Sequence, residues 1–300
     1  MTRAPAALLR SALFVPAAHA RALEKSASLA VDALIFDLED SAAEGEKGEA
    51  RERLRGHLAS RGRQTAGGPL RVVRINPLDT PAGTEDLLMA CAVRADAILL
   101  PKVEGPEALE QADIALQHCD APPTLALWAM VETPMGVLKA GAIAGAALSR
   151  PLGALVVGPN DLVSAAGLLL SPGRPELMPW IGPILVAGHA HRVPVLDGVY
   201  NDFADLDGFS AECSAGRRLG FCGKTLIHPS QIGPADAAFG PTPDEIAAAE
   251  AIVAAFAEPA HRGRGVIRLD GRMVERLHLL QAEALLARVA AIRTRKGPTR

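Results

Sequence analysis

The chain has 300 residues, 49% hydrophobic and 22% charged, which supplies one large core and argues against disorder. A formal net charge of -3 and only 3% aromatic residues argue against a nucleic-acid or membrane partner, because there is no polybasic field and few rings for bases to stack on. Cys91, Cys119, Cys213 and Cys222 are widely spaced without a zinc pattern, so they read as free thiols of a reducing, cytoplasmic compartment.

Taken in order, the chain alternates short apolar runs with helical stretches. The run Ala6–Ala20 ends in Ala-His-Ala, superficially a cleavage site, but Arg10 interrupts it and Ser11–Val15 reads as a first strand. A helix over Ala18–Leu29 follows, then a second run Ala33–Phe36 and a charged helix over Glu44–Ala59. Ala66–Pro69 is a loop. The third run, Leu70–Ile75, closes on the breaker Asn76-Pro77. Helix Thr84–Val93, run Ala97–Leu100, helix Pro106–His118 and run Leu125–Val131 come next. Thr133-Pro134 has the form of an N-cap with proline at the first helical position, opening a helix expected to reach Leu148. The remaining runs are Ala154–Val157, Val195–Leu196 and Lys224–Ile227, with helices over Ile181–Arg192 and Phe209–Leu219. No stretch approaches roughly 18 uninterrupted apolar residues, so no membrane span is expected.

Eight continuous runs alternating with helices predict parallel strands buried on both faces, and hence a (β/α)8 TIM barrel over residues 1–235. The absence of a G-x-G-x-x-G turn removes the usual reason for a dinucleotide fold. Residues 236–300 depart from the pattern. They predict a helix over Thr242–Glu258, a hairpin around Asp270-Gly271, a helix over Leu277–Ile292 and a frayed basic tail from Arg293 to Arg300. This C-terminal helix–hairpin–helix extension either lids its own barrel or reaches a neighbouring subunit.

Each run ends on polar groups: Asp37, Glu39 and Asp40; Arg74 and Asn76; Lys102; Glu132; Asn160 and Asp161; Asp197; Lys224 and His228. A barrel gathers such residues into one ring at its C-terminal mouth. Glu132 and Asp161 close consecutive strands. Two carboxylates with positions left for water and substrate oxygens suit Mg2+. Taken alone, Glu132 also reads as a solvated loop residue, and Asp161 as the cap of a helix starting at Leu162. Arg74 is either a fork for a substrate carboxylate or an ion-pair partner of Asp37 or Glu39. Lys102 and Lys224 admit a rival Schiff-base chemistry, which neighbouring carboxylates disfavour by keeping an amine protonated. His19 and His228 are candidate bases, or hydrogen-bonded loop residues.

Eight ordered stretches carry a family resemblance: Ser11–Pro16, Phe36–Ser41 (FDLEDS), Val73–Asn76, Leu100–Lys102, Val131–Pro134 (VETP), Gly158–Leu162 (GPNDL), Asp197–Tyr200 and Gly223–Pro229 (GKTLIHP). The sequence resembles the citrate lyase beta-subunit-like family of Mg-dependent aldolases and lyases, which includes malyl-CoA and citramalyl-CoA lyases. The resemblance runs from about Arg10 to Leu286. It implies an Mg2+-dependent carbon–carbon lyase that acts on a 3-hydroxyacyl-CoA thioester and releases a keto acid and an acyl-CoA. The variant reading is a citrate lyase beta-type subunit whose thioester sits on an acyl carrier protein.

By that likeness Glu132 and Asp161 are the metal ligands, Glu132 also touching substrate. Arg74 binds the substrate's carboxylate, and Asp37 and Glu39 orient Arg74 or hold water. Phe14, Pro16, Arg21 and Lys25 line the thioester-carrier pocket; Lys102, for which the neighbouring carboxylates favour a charge-pairing role, is a further substrate-binding candidate. The resemblance also implies a homo-oligomer, a trimer or hexamer, in which an acid of the extension reaches a neighbour's site. Here that acid is Glu275, where aspartate is usual, and Ala17 stands where the family often has glycine.

Overall fold

The eight apolar runs form eight parallel strands: β1 (Ser11–Pro16), β2 (Ala33–Asp37), β3 (Leu70–Arg74), β4 (Ala97–Leu100), β5 (Ala126–Val131), β6 (Leu152–Val157), β7 (Val195–Asp197) and β8 (Gly223–Leu226). In the computed structural model they close a barrel in chain order, with β8 pairing back to β1. The structure describes residues 8–60, 67–261 and 263–296, without the side chains of the last two. The start of the Ala6 run, Ala66, and the end of the basic tail lie outside the described residues. The (β/α)8 barrel expected from the sequence is present. Register sets the rim: Pro16 is level with Asp37, Asp37 with Arg74, and Val131 with Val157. Whatever follows those residues therefore emerges at one mouth.

Strand alternation sorts the side chains into two cores. Leu13, Val15, Phe36, Val73, Ile98, Val131 and Leu155 pack outward against helix residues such as Leu54, Leu109 and Ile181. Ala12, Ala33, Ile35, Val72, Ala97, Leu99, Trp128, Met130 and Val156 fill the interior. Gly153 leaves room for the Trp128 ring: a β-carbon there would lie 2.5 Å from Trp128 Nε1.

Several element boundaries differ from expectation. The stretch Pro134–Leu148 is not one helix. It forms Pro134–Leu138 and Ala140–Ala144, separated at Lys139, where ψ is 11°. Three glycines, Gly136, Gly141 and Gly145, weaken continuous helix there. Conversely, Met178–His191 begins before Pro179, and Ile232–Phe239 is helical through Pro234. Proline is tolerated in a first turn, where its missing N–H has no helical partner.

The chain divides into two compact units, Leu9–Phe239 and a second from Gly240 onward. In the second, Thr242 and Glu245 form a reciprocal capping box on helix Pro243–Ala257. β9 (Val266–Leu269) and β10 (Arg272–Glu275) pair antiparallel around Asp270 and Gly271, both at positive φ (49° and 78°), as a two-residue hairpin turn requires. Helix Arg276–Lys296 follows.

Candidate active site

Glu132 follows β5 directly and shares strand parity with Trp128 and Met130, which point into the barrel. Thr133 accepts from Gly136 N at 3.0 Å and Pro134 starts the helix, so the chain turns immediately after the carboxylate. Glu132 is only 1% exposed, which rules out the solvated-loop reading. Its Oε1 accepts from the Lys102 backbone N–H at 2.8 Å, and its Oε2 has no hydrogen-bond partner. Gly158, the first residue after β6, leaves space for this group: a β-carbon there would sit 2.5 Å from Glu132 Oε2.

Asp161 does not cap a helix starting at Leu162. The helix is Pro159–Ala166, its N-cap is Gly158, and no side chain caps it. Asp161 lies inside the first turn, where a carboxylate suits the helix dipole. It makes no hydrogen bond or ion pair among the described residues and lines a cavity of about 190 Å3 at the barrel mouth. Asp37, Asp40, Arg74 and Asn160 share the polar side of that cavity. Phe14, Met130, Val157, Val199 and Ile227 form its apolar side.

Arg74, the last residue of β3, is 5% exposed and tightly held. Its Nε and Nη2 donate to the two oxygens of Asp37 at 2.7 and 2.8 Å, a bidentate fork. Nη1 lies 2.7 Å from Glu39 Oε2, an ion pair without hydrogen-bond alignment, and Nη2 lies 3.1 Å from Asp40. The Phe14 ring centroid is 5.1 Å from the guanidinium carbon. The ion-pair reading of Arg74 is met, and the guanidinium also lines the cavity. Burial opposes its charge, but Asp37, Glu39 and Asp40 outweigh burial and raise its pKa. Lys102 Nζ donates to Glu39 Oε1 at 2.6 Å, and that bond raises the ammonium's pKa. A protonated, paired amine is unsuited to Schiff-base formation.

Other strand-end residues turn away from the mouth. Asn76 is buried and donates to Leu38 O and Asp86 at 3.0 and 2.6 Å. Asp197 and Lys224 share strand parity with Val195 and Leu226, which pack outside the barrel. There Lys224 Nζ lies 2.9 Å from Asp197 and 2.7 Å from Glu212, and Arg174 reaches the same two acids at 2.5 and 3.3 Å. Lys224 is therefore no Schiff-base candidate either. His228 caps the turn at Ser230 and stacks on Phe203 at 4.8 Å. His19 is an N-cap residue without a side-chain cap bond. Pro16 ends β1 beside the mouth, while Arg21 and Lys25 are exposed on helix Ala20–Ser26; none of the three lines the cavity. Glu275 is exposed on β10, its N–H donating to His278 at 2.9 Å. Met130, Gly158, Val199 and Ile227 lie in stretches that the sequence singled out, but no place in the cavity was assigned to them, because apolar and glycine residues carry no chemical signature.

The mouth is acidic. Asp37, Glu39, Asp40, Glu132 and Asp161 outnumber Arg74 and Lys102. Burial pushes Glu132 up to about 8, with Glu39 and Asp161 adding to the rise and the Lys102 amide opposing it. A proton on Glu132 offsets one of the three excess negative charges. A hard divalent cation does so better, since Glu132 Oε2 is orphaned and Asp161 is unpartnered. The donor set fits Mg2+, with remaining positions for water and substrate.

A model of the HpcH/HpaI aldolase/citrate lyase family matches residues 10–229. The chain belongs to that family. It is 44% identical over 286 residues to a (3S)-malyl-CoA thioesterase of Cereibacter sphaeroides, covering 94% of this chain and 95% of that one. It is 31% identical to the mitochondrial citramalyl-CoA lyase of Rattus norvegicus, covering 95% and 87%. Among solved structures, the aldolase/citrate lyase barrel resembles the Mycobacterium tuberculosis protein CitE in complex with magnesium, acetoacetate and coenzyme A, with a TM-score of 0.72, 30% identity, and coverage of 93% and 97%. The family resemblance read from the eight motifs, and the expectation of an enzyme among lyases, are thereby met.

Proposed function

We propose that the chain is an Mg2+-dependent carbon–carbon lyase. Its substrate is a 3-hydroxyacyl-CoA thioester with a distal carboxylate, of the malyl, citramalyl or hydroxymethylglutaryl kind. The observation that carries this reading is the orphaned, buried Glu132 Oε2 beside the unpartnered Asp161 at the mouth cavity. These two residues would hold Mg2+, which supplies Lewis-acid stabilisation of negative charge on the reacting oxygen.

The chain's own residues supply the rest. Arg74, fixed by Asp37 and backed by Phe14, is placed to neutralise the carboxylate of the departing oxo acid. Its contact with Asp40, whose side chain is 64% exposed, is the one a substrate carboxylate would replace. Met130, Val157, Val199 and Ile227 give the other side of the cavity an apolar lining. A base takes the hydroxyl proton, the C–C bond breaks, and the thioester enolate is reprotonated. Glu275 of a neighbouring copy is the proposed proton carrier, an assignment resting on the Asp270–Glu275 motif alone. It presupposes a homo-oligomer. Arg21 and Lys25, exposed beside the β1 end, are proposed to meet the CoA moiety.

The 44% likeness to a malyl-CoA thioesterase favours a second reading, hydrolysis of the same thioester. Products separate the two. Purified protein with Mg2+ is incubated with malyl-CoA and citramalyl-CoA, and oxo acid and free thiol are both quantified. Oxo acid without matching thiol supports the lyase. Free thiol without oxo acid establishes the hydrolase. Turnover of either free CoA ester excludes obligate use of a carrier-protein thioester.

A further inference from the structure

Lys102 entered as a charge at the mouth, but both ends of this residue are already engaged by acids. Its backbone lies at φ 47°, in the left-handed region, immediately after Pro101 at the end of β4. Consecutive N–H groups of an extended strand point to opposite sides. The left-handed turn instead lets two successive amides address β5. The Lys102 N–H donates to Glu132 Oε1 at 2.8 Å, and the Val103 N–H donates to Met130 O at 3.0 Å. At the other end, the ammonium donates to Glu39 Oε1 at 2.6 Å although the side chain is 45% exposed. The Glu132 carboxylate is thus held by one oxygen, while the other is buried without a partner. The second oxygen is the orphaned one, on the side where Gly158 leaves space.

We propose that Lys102 is the positioning residue of the cation site: its backbone amide, kept on the β5 side together with that of Val103 by the left-handed turn, occupies one oxygen of Glu132 and leaves the other for the cation, while its ammonium ties down Glu39. This rests on Glu132 being a metal ligand. It assigns the lysine's main contribution to its backbone rather than to its charge. A residue at this position must accept positive φ. Glycine does so freely, straight-chain residues do so with strain, and a β-branched residue is a genuine outlier there.

Mn2+ binding, followed by electron paramagnetic resonance without substrate, tests the assignment on Lys102→Arg, Lys102→Gly and Lys102→Val, with a melting temperature for each. Lys102→Arg keeps both ends and should bind within about twofold of wild type. Lys102→Gly keeps the amide, loses a positive charge near the site, and should bind at least as tightly as wild type. Lys102→Val loses the amide geometry as well, and should bind about tenfold or more weakly than Lys102→Gly, the scale of one hydrogen bond to a charged group. Equal affinities for the Gly and Val variants overturn the proposal. So does a tenfold loss in Lys102→Gly, which would put the effect in the ammonium and is readable even where Lys102→Val does not fold. Wild-type protein that binds no Mn2+ fails the metal reading itself, and the Lys102 assignment with it.

Discussion

Two charged clusters sit at the ends of barrel strands, and they differ in almost everything except residue type. Behind β7 and β8, Asp197 and Glu212 meet Arg174 and Lys224, with charges balanced and both Asp197 and Lys224 at 0% exposure. At the mouth, acids exceed bases, a cavity opens, and a buried carboxylate oxygen has no partner. Burial would raise Asp197, but Lys224 and Arg174 outweigh it and hold that carboxyl below the usual range. Burial raises Glu132 to about 8, and two of its acidic neighbours push the same way. Among the described residues the first arrangement leaves only Arg174 Nη1, of its buried side-chain atoms, without a hydrogen bond, and its charges balance. The second carries excess negative charge that a bound cation would offset, and that difference separates a balanced packing device from a candidate cation site.

The contrast breaks first at activity. Glu132→Gln and Asp161→Asn should each lower kcat/KM by roughly 10^3, the worth of several kcal/mol of charge stabilisation. Glu132→Gln should leave the metal-free melting temperature unchanged or higher, because it replaces a buried acid whose charge is disfavoured. Asp197→Asn should do the reverse. Leaving Arg174 and Lys224 with one acid should cost about 3–5 kcal/mol of stability, read by urea denaturation, with a smaller effect on turnover of the folded enzyme.

Acidity sharpens the comparison further. Glu132 has a folded pKa raised from 4.5 to about 8, so the metal-free fold loses stability as pH rises through that window. The cation competes with the proton. The Mg2+-induced rise in melting temperature should therefore grow between about pH 6 and 8 and level off above, and Glu132→Gln should abolish that trend. The lowered pKa of Asp197 makes its contribution complete above the ordinary Asp value and lost only as pH falls through its depressed value, in the acid range. The smallest effect belongs to Asp40→Asn. This exposed partner of Arg74 should shift stability by less than about 1 kcal/mol.

The barrel was legible because its strands are buried on both faces and so print as continuous apolar runs, from Ser11–Val15 to Lys224–Ile227. Helix ends were less so. The helix expected from Ile181 begins at Met178, with Pro179 in its first turn, and the single helix expected over Pro134–Leu148 is interrupted at Lys139 and ends at Gly145. At the mouth, Glu132, Asp161 and Arg74 stood out as charged residues following apolar strands. What sequence could not assign was direction. Asp197 and Lys224 are one strand position out of phase with the interior, and period-two alternation sends them to the opposite face. In a strand as short as β7, three residues long, no pattern reveals that phase. The space at Gly158 and the amide of Lys102 were invisible for a different reason, since both act through backbone geometry.

The mouth cluster, and not its balanced counterpart, is the proposed site of the divalent cation. Counting Mn2+ bound per chain at pH 8 in wild type, Glu132→Gln and Asp197→Asn tests it most directly. One bound ion is expected in wild type and in folded Asp197→Asn, with a loss of affinity of about tenfold or more in Glu132→Gln. Undiminished binding by Glu132→Gln would contradict that assignment.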